Sequence, residues 1–155
     1  MVRTSHAITK AILFPVCSLF FLLIGNATIA SNSRDIGDYI VHYSALPTTS
    51  LSAKIAKQYD ITRSNNRGML NVAVIKKAQN EGGKDTPVTA KITAYATNLN
   101  SQLKTLEMRE LRDQNSVYYI GEFNISDGEA LDFTITVSPE QAAPQTIMFK
   151  QNFFK

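Results

Sequence analysis

Val117-Tyr118-Tyr119-Ile120-Gly121-Glu122-Phe123 is followed by Asn124-Ile125-Ser126-Asp127-Gly128-Glu129-Ala130 and then by Leu131-Asp132-Phe133-Thr134-Ile135-Thr136-Val137, and the reading of this stretch decides the fold. Side chains alternate faces along a strand. In the last run Leu131, Phe133, Ile135 and Val137 therefore share one face, and Asp132, Thr134 and Thr136 share the other. One face is dry and one is wet. The Asn, Ser, Asp and Gly between the two runs have the composition of a turn, so the stretch predicts a β-hairpin. The rest of the chain reads as material that covers the dry face.

Downstream, two prolines interrupt Ser138 to Gln145, and Thr146 to Phe154 predicts a closing strand with Ile147, Phe149, Gln151 and Phe153 on one face. Upstream, Leu103 to Leu111 alternates Leu106 and Met108 with charged positions. A helix would also align Leu103, Leu106 and Glu110, but the short run and turn-like flanks favour a strand. In Val88 to Thr97 the inward set Val88, Ala90, Ile92, Ala94 and Ala96 is mostly small. Tyr and Phe side chains must fill the space in front of it. Gln79 to Pro87 reads as a connection, Met69 to Lys76 as a strand with Leu70, Val72 and Val74 on one face, and Arg63-Ser64-Asn65-Asn66-Arg67-Gly68 as a turn.

Earlier still, Leu51, Ile55 and Tyr59 recur at spacing four. This predicts a helix from Ser52 to Tyr59 with Ser50 or Ser52 as its N-cap. Two turns are marginal alone, so the helix is expected to lie against the sheet and plug one end. Asp38 to Ala45 reads as the first strand, and Ser31 to Gly37 as polar and frayed. Seven strands and one short helix match an all-β, immunoglobulin-like antiparallel β-sandwich without the cysteine pair of antibody domains.

The first thirty residues are set apart by composition. Arg3, His6 and Lys10 are followed by an almost wholly apolar run from Ala11 to Ile24, and then by the small residues of Gly25-Asn26-Ala27-Thr28-Ile29-Ala30. This is the layout of a secretory signal peptide, with cleavage expected after Ala30 and Ala27 as the alternative. An uncleaved anchor fits less well, because about 14 residues at about 1.5 Å each cover about 21 Å of a hydrocarbon layer about 30 Å thick. Residues 31–155 are then expected to form a single exported domain with no membrane span after processing.

Processing changes the chemistry available. Cys17 is the only cysteine and leaves with the signal peptide, so disulfides and thiolate metal sites are not expected. Losing Arg3 and Lys10 takes sixteen basic residues to fourteen against thirteen acids, so the net charge falls from +3 to +1. A near-neutral domain gives no electrostatic case for nucleic acid. His42, the one histidine left, has no metal-binding partner in the sequence, and no Gly-x-Ser-x-Gly elbow or phosphate cradle occurs. No cofactor is expected.

The interaction candidates are few. Arg63 and Arg67 flank a turn beside the helix and could receive a partner's carboxylate. Arg109 and Glu110 belong to a mixed-charge run, Glu107 to Asp113, of the kind that blocks pairing at a sheet edge. Tyr118 and Tyr119 are adjacent and face opposite sides; the outward one, with Tyr118 as the candidate, is a potential interface anchor.

With these residues in view, the chain from about Gly37 to Phe154 resembles a family of uncharacterised periplasmic proteins of Gram-negative bacteria, domain of unknown function 4426. The likeness is carried by Gly37-Asp38-Tyr39-Ile40-Val41-His42-Tyr43, the Arg63 to Arg67 turn, Asn71-Val72-Ala73-Val74, Ala96-Thr97-Asn98-Leu99, Arg109-Glu110-Leu111 and Tyr118-Tyr119-Ile120. The resemblance implies an exported single domain and no particular chemistry. It places Arg63, Arg67, Arg109 and Glu110 in the shared pattern. The expectation is a non-enzymatic module that binds a protein or envelope component through a loop end or a strand edge. The alternative is a small hydrolase or ligand carrier with a cleft between helix and sandwich.

Overall fold

A computed structural model describes residues 32–154. The expected signal peptide, the expected cleavage positions and Cys17 lie outside the described residues. β1 (Asn32–Ile36) turns at Gly37 into β2 (Tyr39–Pro47), and a 3-10 turn at Thr48–Ser50 leads to α1 (Ala53–Gln58). β3 (Arg67–Lys76), the two-residue β4 (Thr86–Pro87), β5 (Ala90–Asn98), β6 (Leu103–Leu106), β7 (Arg109–Asp113), β8 (Ser116–Asn124), β9 (Glu129–Pro139) and β10 (Gln145–Phe153) follow. The larger sheet has the order β1-β2-β3-β8-β7, with β4 beside the end of β3, and the smaller has the order β10-β9-β5-β6. Every pairing is antiparallel. The two sheets pack as a sandwich.

The alternation seen in the sequence sets the core. Val41, Leu70, Val72 and Val74 of the larger sheet meet Leu131, Phe133, Ile135, Val137 and Ile147 of the smaller, all of them buried. Each such side chain contributes about 1.5–3 kcal/mol by leaving water. Phe133 stacks on Phe149 at 4.9 Å and takes the edge of Phe123 at 5.2 Å, while Phe123 meets Phe153 at 5.6 Å. Ala96 stands beside Phe133 in register. The small inward side chains of β5 thus make room for rings, as their volumes required.

Three local expectations are corrected. Val117 to Val137 is not a hairpin: β8 pairs with β3 and β7 in one sheet, and β9 with β5 and β10 in the other. The segment between them carries the chain across the sandwich, with Ile125 buried. Leu103 to Leu111 is two strands, because the chain changes sheets at Glu107 and Met108. Ser31 to Gly37 is not frayed over its described part. Residues Asn32 to Ile36 pair in register with Tyr39 to Tyr43, held by backbone bonds despite an almost fully exposed, polar sequence. Ten strands result in place of about seven, the additions being β1, β4 and the split of β6 from β7.

Helix α1 forms where the spacing placed it, and Ser52 is its N-cap, accepting from the Ile55 N–H at 3.2 Å. It does not plug an end. Leu51, Ala56 and Ile61 pack on Leu46, Met69 and Ile120, which alternate with the core-facing residues of β2, β3 and β8. The helix therefore covers part of the outer face of the larger sheet and makes a second, smaller core. Among the described residues no helix is long and apolar enough to cross a membrane.

Candidate functional site

Two of the arginines singled out in the sequence converge on that outer face. Arg67 at the start of β3 and Arg109 at the start of β7 stand on either side of β8 and approach Glu122 at 3.3 and 3.9 Å. The Thr62 N–H also donates to Glu122, at 3.3 Å. Arg109 reaches further, donating to the Tyr59 and Asp60 carbonyls at 2.6 and 3.1 Å where α1 ends. Arg63 is exposed and donates to the Thr49 carbonyl at 3.2 Å. Its loop is pinned by Thr48, whose hydroxyl donates to the Ser64 carbonyl at 3.2 Å and accepts from the Ser64 N–H at 3.0 Å. The cluster fastens the helix and its following loop to the sheet.

Glu110 is elsewhere. It lies opposite the buried Tyr119 and so points towards the core side of edge strand β7. The Tyr119 hydroxyl donates to it at 3.0 Å and accepts from the Ala90 N–H at 2.9 Å, while Arg112 donates to it at 2.7 Å. Burial raises the Tyr119 pKa; the Ala90 N–H opposes this and the Glu110 carboxylate adds to it. Tyr118 is the outward tyrosine of the pair and is half-buried. On the same face Tyr59 donates to Asp113 at 2.7 Å, and burial together with that carboxylate pushes its pKa up to about 12.

Sequence reasoning missed Glu122, which looks like any solvent-facing residue of an alternating strand. It also missed Asn71, whose side-chain oxygen is the one buried side-chain N or O atom without a hydrogen-bond partner among the described residues. The space between α1 and the sheet is filled by Ala56, Ile61, Met69 and Ile120. Cavities lie away from it. One of about 340 Å³ opens near Tyr39, Lys76, Val88, Arg112 and Glu140, and another of about 250 Å³ lies along His42, Asn71 and Tyr118. No group of three or more His, Cys, Asp or Glu among the described residues could hold a metal.

The four sheet edges differ. β7 is five residues with four charges, β1 is five with Arg34 and Asp35, and β6 is four. Short strands and charges are the usual protections against further pairing. β10 has neither: it runs nine residues, Gln-Thr-Ile-Met-Phe-Lys-Gln-Asn-Phe, with Lys150 its single charge and Met148 exposed. It lies across from β2, with the Tyr43 and Phe149 rings 4.9 Å apart. β1 extends one strand beyond. Asn32 and Arg34 pair with the core-facing Tyr43 and Val41, yet both are exposed, and among the described residues no strand lies opposite them. The smaller sheet is one strand short at that flank.

No curated protein matches the chain. Among solved structures, a DUF4426 family protein (PA0388) from Pseudomonas aeruginosa PAO1 gives a TM-score of 0.68 at 29% identity, covering 80% of this chain and 94% of that one. A Br derivative of BhCBM56 gives a TM-score of 0.41 at 12% identity, covering 77% of this chain and 97% of that one. The family model described as Domain of unknown function (DUF4426) matches residues 33–155, which takes in all but the first of the described residues, and the chain belongs to that family.

Proposed function

We propose that this protein is an exported, non-enzymatic binding module of the periplasm that takes an extended segment of a partner protein along β10. The observation that carries the reading is the flank of β10, long, nearly uncharged and roofed by the overhanging β1. A strand added there completes the smaller sheet, gains main-chain hydrogen bonds from β10, and covers the inward side of β1. Arg34 faces the added strand, so an acidic side chain in the partner is favoured. Export is supported by the leader's charged, apolar and small-residue layout. The non-enzymatic reading is supported by Arg67, Arg109, Glu110 and Glu122, whose charges engage other side chains and the backbone.

A photo-crosslinking residue placed at Met148 or at Arg34, in cells expressing the chain with its leader, tests the proposal. Both positions should give the same adduct, and a crosslinker at Arg112 on the protected edge should not. Equal labelling from Arg112, or no adduct from either position on the β10 flank, rejects it.

A further inference from the structure

Four of the five residues of β1 are exposed, so pairing with β2 orders them while burying almost nothing. The strand is nevertheless held at its far end, where Lys77 bridges Asp35 at 2.7 Å and Ile36 packs against the main core. Its position gives it a role. Because the Tyr43 and Phe149 rings meet across the core, β2 stands opposite β10, and β1 projects one strand past it in the same layer. Between Arg34 to Gly37 and the start of β10 at Gln145 and Thr146 lies a cavity of about 360 Å³.

This geometry separates two kinds of neighbour. An open strand edge readily meets its equal, and two copies pairing β10 to β10 about a twofold axis would fuse their smaller sheets. The second copy's β2 would then stand opposite its own β10, one strand spacing of about 4.8 Å outside the first. β1 already occupies that place. With the pairing centred on Phe149, Tyr43 to Pro47 of the second copy would run through Asn32 to Ile36 of the first, and the collision is repeated by symmetry. A lone strand brings no second layer with it. It can take the edge of β10 and lie beneath β1.

We infer that β1 makes the β10 edge selective by the number of layers a partner carries: a single extended segment, unstructured before it binds, is admitted, and a second copy of this chain is barred. The inference rests on the reading of β10 as a strand-accepting edge. It adds that the partner offers a tail or linker, never the edge of a folded sandwich.

Sedimentation of the processed protein, alone and with a labelled peptide of the β10 sequence Gln145 to Phe153, tests this. The parent should stay monomeric yet bind the peptide, because the same residues arrive once with a second layer and once without. Ser33→Pro with Arg34→Pro removes an N–H that faces β2 and unseats β1. That variant should dimerise at least tenfold more tightly than the parent, and adding Gln151→Lys, a charge turned inward on β10, should return it to monomer. Should the proline pair not fold, Arg34→Pro alone makes the same test. A parent dimer that Gln151→Lys dissociates, a folded proline variant that stays monomeric, or a variant dimer that survives Gln151→Lys overturns the barrier alone. Failure of the parent to bind the peptide overturns the admission of a lone segment and, with it, the reading of β10 as an accepting edge.

Discussion

The Arg109 guanidinium donates to the Tyr59 carbonyl oxygen at 2.6 Å, so an edge strand closes the end of a helix that lies fifty residues earlier in the chain. A six-residue helix cannot hold itself. Backbone N–H groups of Tyr59, Asp60 and Ile61 take the Ile55, Lys57 and Ala56 carbonyls, and Arg109 ties the next two carbonyls, those of Tyr59 and Asp60, to β7.

Arg109→Ala should therefore lower stability by about 1–2 kcal/mol, the range for a charged hydrogen bond at a partly exposed helix end. The urea midpoint should fall with an unchanged slope. Arg109→Lys should recover less than half, because an ammonium cannot span two carbonyls as a guanidinium fork does.

Glu122 is the hub for Arg67, Arg109 and the Thr62 N–H, and its side chain is only 18% exposed. Glu122→Ala should cost about 1–3 kcal/mol, since it strands donors as well as removing a charge. The Arg67–Glu122 coupling in a double-mutant cycle should be only about 0.2–1 kcal/mol and should shrink with salt. Coupling that rises with salt contradicts this assignment.

Two glycines sit against the core at unequal cost. A Cβ at Gly68 would lie 2.6 Å from the Phe123 ring, which packs against Phe133 and Phe153, whereas at Gly121 the first obstacle is the Met108 sulfur at 2.6 Å. A thioether can swing aside and a packed ring cannot. Gly68→Ala should lose about 1–3 kcal/mol and Gly121→Ala less. Thermal melts of the two variants give the order directly.

Glu129 should govern part of the acid response. Burial pushes its pKa up, but hydrogen bonds from Lys104 at 2.6 Å and from the Ser126 N–H at 2.9 Å pull it below the ordinary 4.5. A depressed carboxyl stabilises the fold above its unfolded pKa and loses that contribution as pH falls through the folded value. The stability gap between the parent and Glu129→Gln should be widest near pH 7 and narrow below about pH 4. A gap independent of pH counts against it.

Tyr59 works in the opposite direction. Its pKa, pushed to about 12 by burial and by Asp113, favours the protonated phenol in the folded state. Its contribution is complete below pH 10 and disappears as pH rises through about 12. In an absorbance titration of the folded protein, Tyr59→Phe should remove a late-ionising phenol. If it removes one that titrates near 10, the hydrogen bond to Asp113 is not formed in solution.

The long strands were legible in the sequence because one buried face imposes period two, and β3, β5, β9 and β10 lie close to where that period placed them. Pairing was less legible. Phe123 and Phe133 are buried alike whether β8 and β9 form a hairpin or face each other across the core, so alternation cannot separate the two arrangements. The turn-like Asn124 to Gly128 suits both. β1 escaped notice because four of its five residues are exposed, which leaves no apolar pattern to read. Arg67 and Arg109 stood out as charged residues, but the carboxylate that joins them did not. Glu122 acquires its role only when β3, β8 and β7 lie side by side.

The chain visits the two layers by turns: β1 to β4, then β5 and β6 opposite, back for β7 and β8, and across again for β9 and β10. No continuous stretch of sequence owns a whole layer. The larger one has all its strands only at β8, when β5 and β6 are still the smaller one's only members, and the smaller waits for β10. Assembly is governed by distant encounters, which places this fold among the slower ones, on a scale of about milliseconds to seconds. Cutting the chain anywhere between β4 and β9 would leave two fragments that are each poor company for themselves and complete only for one another.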